Sequence, residues 1–254
     1  MNKSKLIKTT ISVVVLIAVW EIITRMGIIS TYILPSPSKV FDSFMKMVKS
    51  GEIFEDIYIS YIRVLKGFFL ATLVAFLMAM VRIVLPQLND YYEGIVQFLK
   101  NVPPLSLISL LILWCGIGET TKIVVIVLTA FFPIYLNTVK GFESCDKKLL
   151  EVGEIYGYSK TSSFFKIRLP YAMADILVGM RIGLGYSWRA IISAEMIAAA
   201  AGLGHMILFA QQMSRTDKVI VGILVIGVIG YITDRLFAFI IDKTLKGTEV
   251  NGWD

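Results

Sequence analysis

Apolar residues in this chain gather into long runs separated by polar connectors, and no even alternation of apolar and polar positions runs through them. The runs fall at about residues 9–23, 67–85, 95–115, 123–139, 172–199 and 219–241. Each is near the roughly 20 residues that carry a helix across a hydrocarbon core of about 30 Å. Helices satisfy their own backbone in lipid, whereas a barrel would need alternating strands, so the pattern predicts helices. The expected fold is an all-α membrane protein, six transmembrane helices in a single domain over residues 1–254, with both chain ends on one side. Before the first run stand Lys3, Lys5 and Lys8; after it come Glu21, Arg25 and Met26 instead of a small-residue cleavage pattern. That run is therefore expected to be a retained anchor.

Two connectors are long enough to carry structure of their own. Residues 26–66 are expected as an external loop containing Leu34-Pro35-Ser36-Pro37-Ser38, where each proline fixes its own φ. Ser38 is expected to cap a short helix with Val40, Phe41, Phe44, Met45 and Val48 on one face. Such a helix would lie along the membrane surface or pack on neighbouring spans. Residues 140–171 are expected to be cytoplasmic. There Asp146 is an N-cap candidate, and Leu149, Val152, Ile155 and Tyr156 form an apolar stripe at helical spacing. Gly157 can take the left-handed conformation that ends a helix, and Pro170 sits where a first helical turn tolerates it. An amphipathic helix followed by a sharp turn back into the membrane suits docking into a groove on a soluble partner.

Composition sharpens the class. Hydrophobic residues make up 56% of the chain and charged ones only 17%, against about 45–50% and about 25% in soluble domains. With a mean hydropathy of +0.74, the excess apolar surface needs lipid. Net charge is +6, but the basic residues sit mainly in short connectors, which favours a membrane surface over nucleic acid. An internal N-terminus gives the inner side the larger share of Lys and Arg, among them Lys140, Lys147, Lys148, Lys243 and Lys246. Two cysteines and one histidine build neither a zinc site nor a disulfide framework, so no metal is expected.

A few side chains inside the spans carry candidate chemistry. Arg181, Arg189 and Glu195 lie in or near the fifth run, where a charge facing lipid costs a few kcal/mol, roughly. They must face a cavity or find partners. Arg189, whose forked donors suit an anionic solute, is the first candidate for the pathway; its alternative is an ion pair with Glu195 or Glu21. Trp188 beside it is a second candidate through aromatic–cation contact. Gly179 and Gly183, and likewise Ala190 and Ala194, stand four apart and predict close helix packing, within the chain or across a dimer axis. His205 is expected in an outer Gly202-Leu203-Gly204-His205 turn.

The second connector also carries a recognisable spacing. Glu151-Val152-Gly153, then Gly157, Ile167 and Leu169-Pro170, resembles the E-A-A…G…I-x-L-P loop of permease subunits of bacterial ABC importers, with Val152 and Gly153 replacing two alanines. Leu34-Pro35-Ser36-Pro37-Ser38, Val102-Pro103-Pro104-Leu105 and Leu113-Trp114-Cys115-Gly116-Ile117-Gly118-Glu119 are similar to the nitrate/sulfonate/taurine branch of the binding-protein-dependent inner-membrane components. So are Phe131-Phe132-Pro133-Ile134 and Ser193-Ala194-Glu195-Met196-Ile197, and the likeness runs from about residue 13 to residue 245.

The resemblance implies the rest of an importer. Two permease copies would pair around a pathway, a cytoplasmic ABC ATPase dimer would dock on the Glu151–Gly157 helix, and an extracytoplasmic binding protein would deliver a sulfonate-, taurine- or nitrate-like solute. Relatives of similar appearance also carry thiamine-precursor pyrimidines. No cofactor is expected in this chain, ATP and Mg²⁺ belonging to the partner subunit. In keeping with a non-enzymatic subunit, the chain holds no G-x-x-x-x-G-K-[ST] phosphate loop. A secondary transporter or channel would show inverted internal repeats, and an intramembrane enzyme a nucleophile with its base; neither pattern is present.

Overall fold

In the computed structural model, which describes residues 3–27 and 29–245, the apolar runs are helices and no strand forms among the described residues. Lys246, counted above among the inner cations, lies outside them, as does the end of the 1–254 domain. The helices are α1 (Lys3–Arg25), α2 (Pro37–Ser50), α3 (Glu52–Val84), α4 (Asn89–Leu99), α5 (Ile108–Cys115), α6 (Glu119–Glu143) and α7 (Lys147–Ile155). The one-turn α8 (Lys160–Ser163), α9 (Leu169–Ala198), α10 (Leu203–Gln212) and α11 (Thr216–Thr244) complete them.

Three of these, α3, α6 and α11, are each long and apolar enough to cross a membrane alone. Two more passes result if interrupted pairs count as one span each. Along α1 the described side chains from Ile11 to Val19 are exposed, a surface that belongs in lipid rather than water.

Several boundaries differ from expectation for identifiable reasons. The cap of α2 is Ser36, which accepts from the Lys39 N–H, because Pro37 fills the first helical position and leaves Ser38 inside the helix. Residues 26–66 are not one loop. Gly51, at φ 79, turns the chain, and α3 begins at Glu52 with Glu52 and Glu55 in its first turn, where the helix dipole favours acids. The run at 95–115 is not one helix. Pro103 and Pro104 supply no N–H groups, so α4 ends before them and the chain restarts through a 3₁₀ turn into α5, bent by 87°. His205 lies in α10 rather than in a turn, and its ring stacks on Phe209 at 6.2 Å.

The chain divides into two compact units, and α3 and α11 each contribute a segment to both. One comprises Met1–Ile59 with Ala200–Val228. Its core is Val40, Met47, Ile53, Leu203, Ile207 and Val221, with Gly222 admitting Ile207 close to the backbone. Asp56 accepts from the Gly202 N–H and so caps the start of α10.

The other unit comprises Ser60–Ala199 with Ile229–Asp254, and its centre is the packing of α6 against α9. A Cβ on Gly179 would meet Asn137 Cβ at 2.7 Å and the Pro133 carbonyl oxygen at 2.9 Å; one on Gly183 would meet Ile134 at 2.7 Å. The contact therefore needs glycine on one side, as in close-packed membrane helices. Ala190 and Ala194 continue the seam into a cluster with Ile108, Leu111 and Val125. On α3, Gly67 receives Ile126 in the same way.

Candidate functional site

The 140–171 connector folds into a short protruding helix on a fixed pedestal. α6 continues through Glu143, and Asp146 then caps α7 by accepting from the Lys148 N–H at 2.9 Å. Gly157, at φ 74, closes α7: its N–H reaches the Glu154 carbonyl, and the Tyr158 N–H reaches that of Gly153, both at 2.9 Å. These bonds satisfy carbonyls that a helix end would otherwise leave open. The chain then passes through α8 and one π-helical turn, Phe164–Arg168, directly into α9, whose first turn holds Leu169 and Pro170.

Gly153 is the contact point between α7 and this return path. A Cβ there would sit 2.6 Å from Ile167 Cδ1, so the missing methyl group leaves room for the isoleucine tip. Arg168 Nε adds a hydrogen bond to the Phe142 carbonyl at 3.2 Å. The residues around Gly153 stand free: Val152 is 47% exposed, Ile155 84% and Tyr156, just past the end of α7, 77%, with Glu151 exposed beside them. A nine-residue helix is too short to span a membrane. Just before α7, burial pushes the Cys145 thiol above its ordinary pKa range, partly opposed by Arg168.

The ionisable groups of the fifth run separate into three environments. Glu195 is fully buried and bound to α3, not to Arg189: Ser60 Oγ donates to it at 2.8 Å and Arg63 Nη1 at 2.8 Å. Arg63 also forks onto Glu119 at 2.6 and 2.8 Å, and Lys122 bonds Glu119 at 2.5 Å. The alternative partner, Glu21, pairs with Arg25 four residues on, at 2.7 Å. Glu195 cannot turn to Arg189, because the helical register sends position 195 to the packed side of α9 and position 189 to the open side.

Arg181 makes a bidentate pair with Asp234 of α11, 2.7 Å on both arms. Trp188 is buried at 7% exposure, edge-on to Tyr61 at 6.3 Å and against Gly230. Arg189 is exposed, and its guanidinium carbon lies 5.8 Å from the centre of the Tyr186 ring. Elsewhere in this unit a polar cavity of about 410 Å³ is lined by Arg82, Glu93, Gln97, Tyr135, Lys140 and Glu143. Its cations are paired, Arg82 with Glu143 and Lys140 with Asp175.

The five-residue network of Ser60, Arg63, Glu119, Lys122 and Glu195 was not legible as a unit, because Arg63 and Lys122 read as connector charges. A signal did exist. Arg63 heads the series Gly67, Ala71, Ala75 and Ala79 at spacing four, so its side chain shares the buried face of α3.

Helices of this length and apolarity, with a short amphipathic helix between α6 and α9, are those of a polytopic membrane protein. Residues 57–246 match the family of binding-protein-dependent transport system inner membrane components, and the chain belongs to that family. It is 35% identical over 91% of its length to a Bacillus subtilis (strain 168) permease named for aliphatic sulfonates, SsuC, covering 84% of that protein. Against the taurine transport system permease TauC of Escherichia coli (strain K12) it is 30% identical, covering 87% of this chain and 82% of that one. The nitrate import permease NrtB of Synechocystis is also 30% identical, with 93% and 88% covered. The fold is shared with a chain of an amino acid ABC transporter crystallised with histidines, at TM-score 0.64 and 13% identity, over 80% of this chain and 97% of that one.

Proposed function

We propose that this chain is the membrane-spanning permease subunit of an ATP-driven importer for a small anionic or zwitterionic solute of the sulfonate, taurine or nitrate kind. An extracytoplasmic binding protein delivers the solute, two permease copies enclose its path, and a cytoplasmic ABC ATPase dimer holds ATP and Mg²⁺. The solute class rests on the relatives, whose names specify sulfonates, taurine and nitrate. The N-terminus, the C-terminus and α7 share the cytoplasmic side, in keeping with the basic residues around them.

The observation that carries the coupling role is the free apolar face of α7 on its fixed base. Val152, Ile155 and Tyr156 project outward while Gly153 is pinned by Ile167. A helix presented this way fits a groove on a soluble partner. Because Ile167 leads straight into α9, a push on α7 reaches a membrane-crossing helix without an intervening flexible loop.

Gly157→Val tests this. The left-handed backbone costs an L-residue roughly 1–2 kcal/mol, and no neighbour lies within 4 Å of an added Cβ, so the strain is confined to the end of α7. The expected result is roughly tenfold weaker co-purification of the ATPase from intact membranes, with transport falling in parallel. Unchanged complex and unchanged transport would overturn the coupling role.

A further inference from the structure

Within the importer reading above, we propose that the α9 face formed by Ile182, Gly185, Tyr186 and Arg189 lines the water-filled path, and that Arg189 is the side chain that meets the oxyanion of the solute. Among the ionisable groups of α9, Arg181 and Glu195 are paired internally, whereas Arg189 meets no carboxylate among the described residues. Ile182, Gly185, Tyr186 and Arg189 are all exposed, and their spacing of three and four places them on one stripe. Opposite that stripe, Gly179, Gly183, Ser187, Ala190 and Ala194 are buried.

Position along the helices argues against lipid as the occupant of this face. Trp188, the neighbour of Arg189, packs on Gly230, the central residue of the 29-residue α11. At 1.5 Å rise per residue, Gly230 lies about 20 Å from either end of that helix, while half a hydrocarbon core is about 15 Å. A guanidinium at that level facing acyl chains would be costly, and its side chain is too short to reach the interface. Water satisfies it at rest. A sulfonate or nitrate can replace that water through the planar fork of donors, an arrangement a lysine ammonium does not offer. Tyr186 holds the guanidinium by its ring face and leaves the N–H edges free. A Cβ added at Gly185 would meet nothing within 4 Å outside its own helix backbone, so the surface beside Arg189 is open.

The experiment places a thiol beside Arg189 and asks which ions reach it. In a C115S/C145S background, G185C is treated in freeze–thawed membranes with two methanethiosulfonates, the anionic 2-sulfonatoethyl and the cationic 2-trimethylammonioethyl reagents. Each rate is normalised to that reagent's rate with a free thiol in solution, and L236C on the exposed side of α11 serves as the lipid reference. The expected result is a preference for the anionic reagent of about tenfold at G185C, which Arg189→Gln abolishes and Arg189→Lys keeps. A G185C thiol as unreactive as that of L236C would overturn the proposal, since lipid or a second copy would then cover the face. A preference that survives Arg189→Gln would overturn the role of Arg189. The labelling requires no ATPase, so it fails or succeeds independently of the coupling experiment with Gly157→Val.

Discussion

At the scale of single residues, the sharpest contrast lies between the arginines. Arg63 is 9% exposed in its side chain and surrounded by acids, and it compensates Glu195, which has no exposure at all. Removing one member of such a pair leaves a buried charge alone and costs about 3–5 kcal/mol, whereas replacing both with apolar groups is often neutral. Arg63→Met is therefore expected to lower the thermal midpoint of the detergent-purified chain by several degrees, and Arg63→Met/Glu195→Met to recover most of it. Equal loss in the single and double variants would show that Arg63 matters for its shape and not its charge. Cys145 makes a second residue-level case. Burial raises the pKa of its thiol, and the thiolate is the reactive form. In a C115S chain, alkylation of Cys145 by iodoacetamide at pH 8 should run at least about tenfold slower than in the same chain unfolded in SDS. Matching rates would mean the site opens readily.

Among the elements, α6 and α9 form the tightest joint. The Gly179 position faces atoms that cannot swing aside: Asn137 Cβ lies 2.7 Å and the Pro133 carbonyl oxygen 2.9 Å from an added Cβ. Gly179→Ala should thus cost about 1–3 kcal/mol through overpacking, despite alanine's better helix propensity. Gly185→Ala, on the open face of the same helix, should be neutral or slightly stabilising; thermal shift in one detergent compares the two directly. The sequence was legible here because small residues at spacing four leave a pattern. It was less so at α4–α5, where hydropathy averages over residues 95–115 and does not register that Pro103 and Pro104 together remove two donors and turn the chain by 87°. The start of α3 was missed for a related reason. Residues 52–66 carry Glu52, Glu55, Asp56, Arg63 and Lys66, so a search for apolar runs reads a loop where capping and local periodicity continue a helix.

For the molecule as a whole, class and family could be read from hydropathy and motif spacing, because both are properties of the chain itself. The ion network could not, because Ser60, Glu119 and Glu195 lie far apart in sequence and meet only after α3, α6 and α9 pack. Arg189 was singled out as either a pathway residue for an anionic solute or half of an ion pair with Glu195 or Glu21, and those two carboxylates pair with Arg63 and Arg25 instead. The proposed orientation makes a global prediction. In the C115S/C145S background, an E151C thiol should react with a membrane-impermeant maleimide in inside-out vesicles and not in right-side-out ones. The opposite pattern would invert the topology and move α7 away from any cytoplasmic ATPase.

The contact of Gly153 with Ile167 fixes a distance along the chain as well as a point in space. Two motif positions separated by a turn, a one-turn helix and most of a π-helical turn are held in register by one methyl tip entering the space of another methyl that is absent. The intervening stretch therefore behaves as a gauge of set length. A single residue inserted or removed between Tyr158 and Phe164 would draw the isoleucine out of its notch even if every motif residue were retained. The surface connectors of this protein should tolerate changes in length; this one should tolerate changes in identity and not in count.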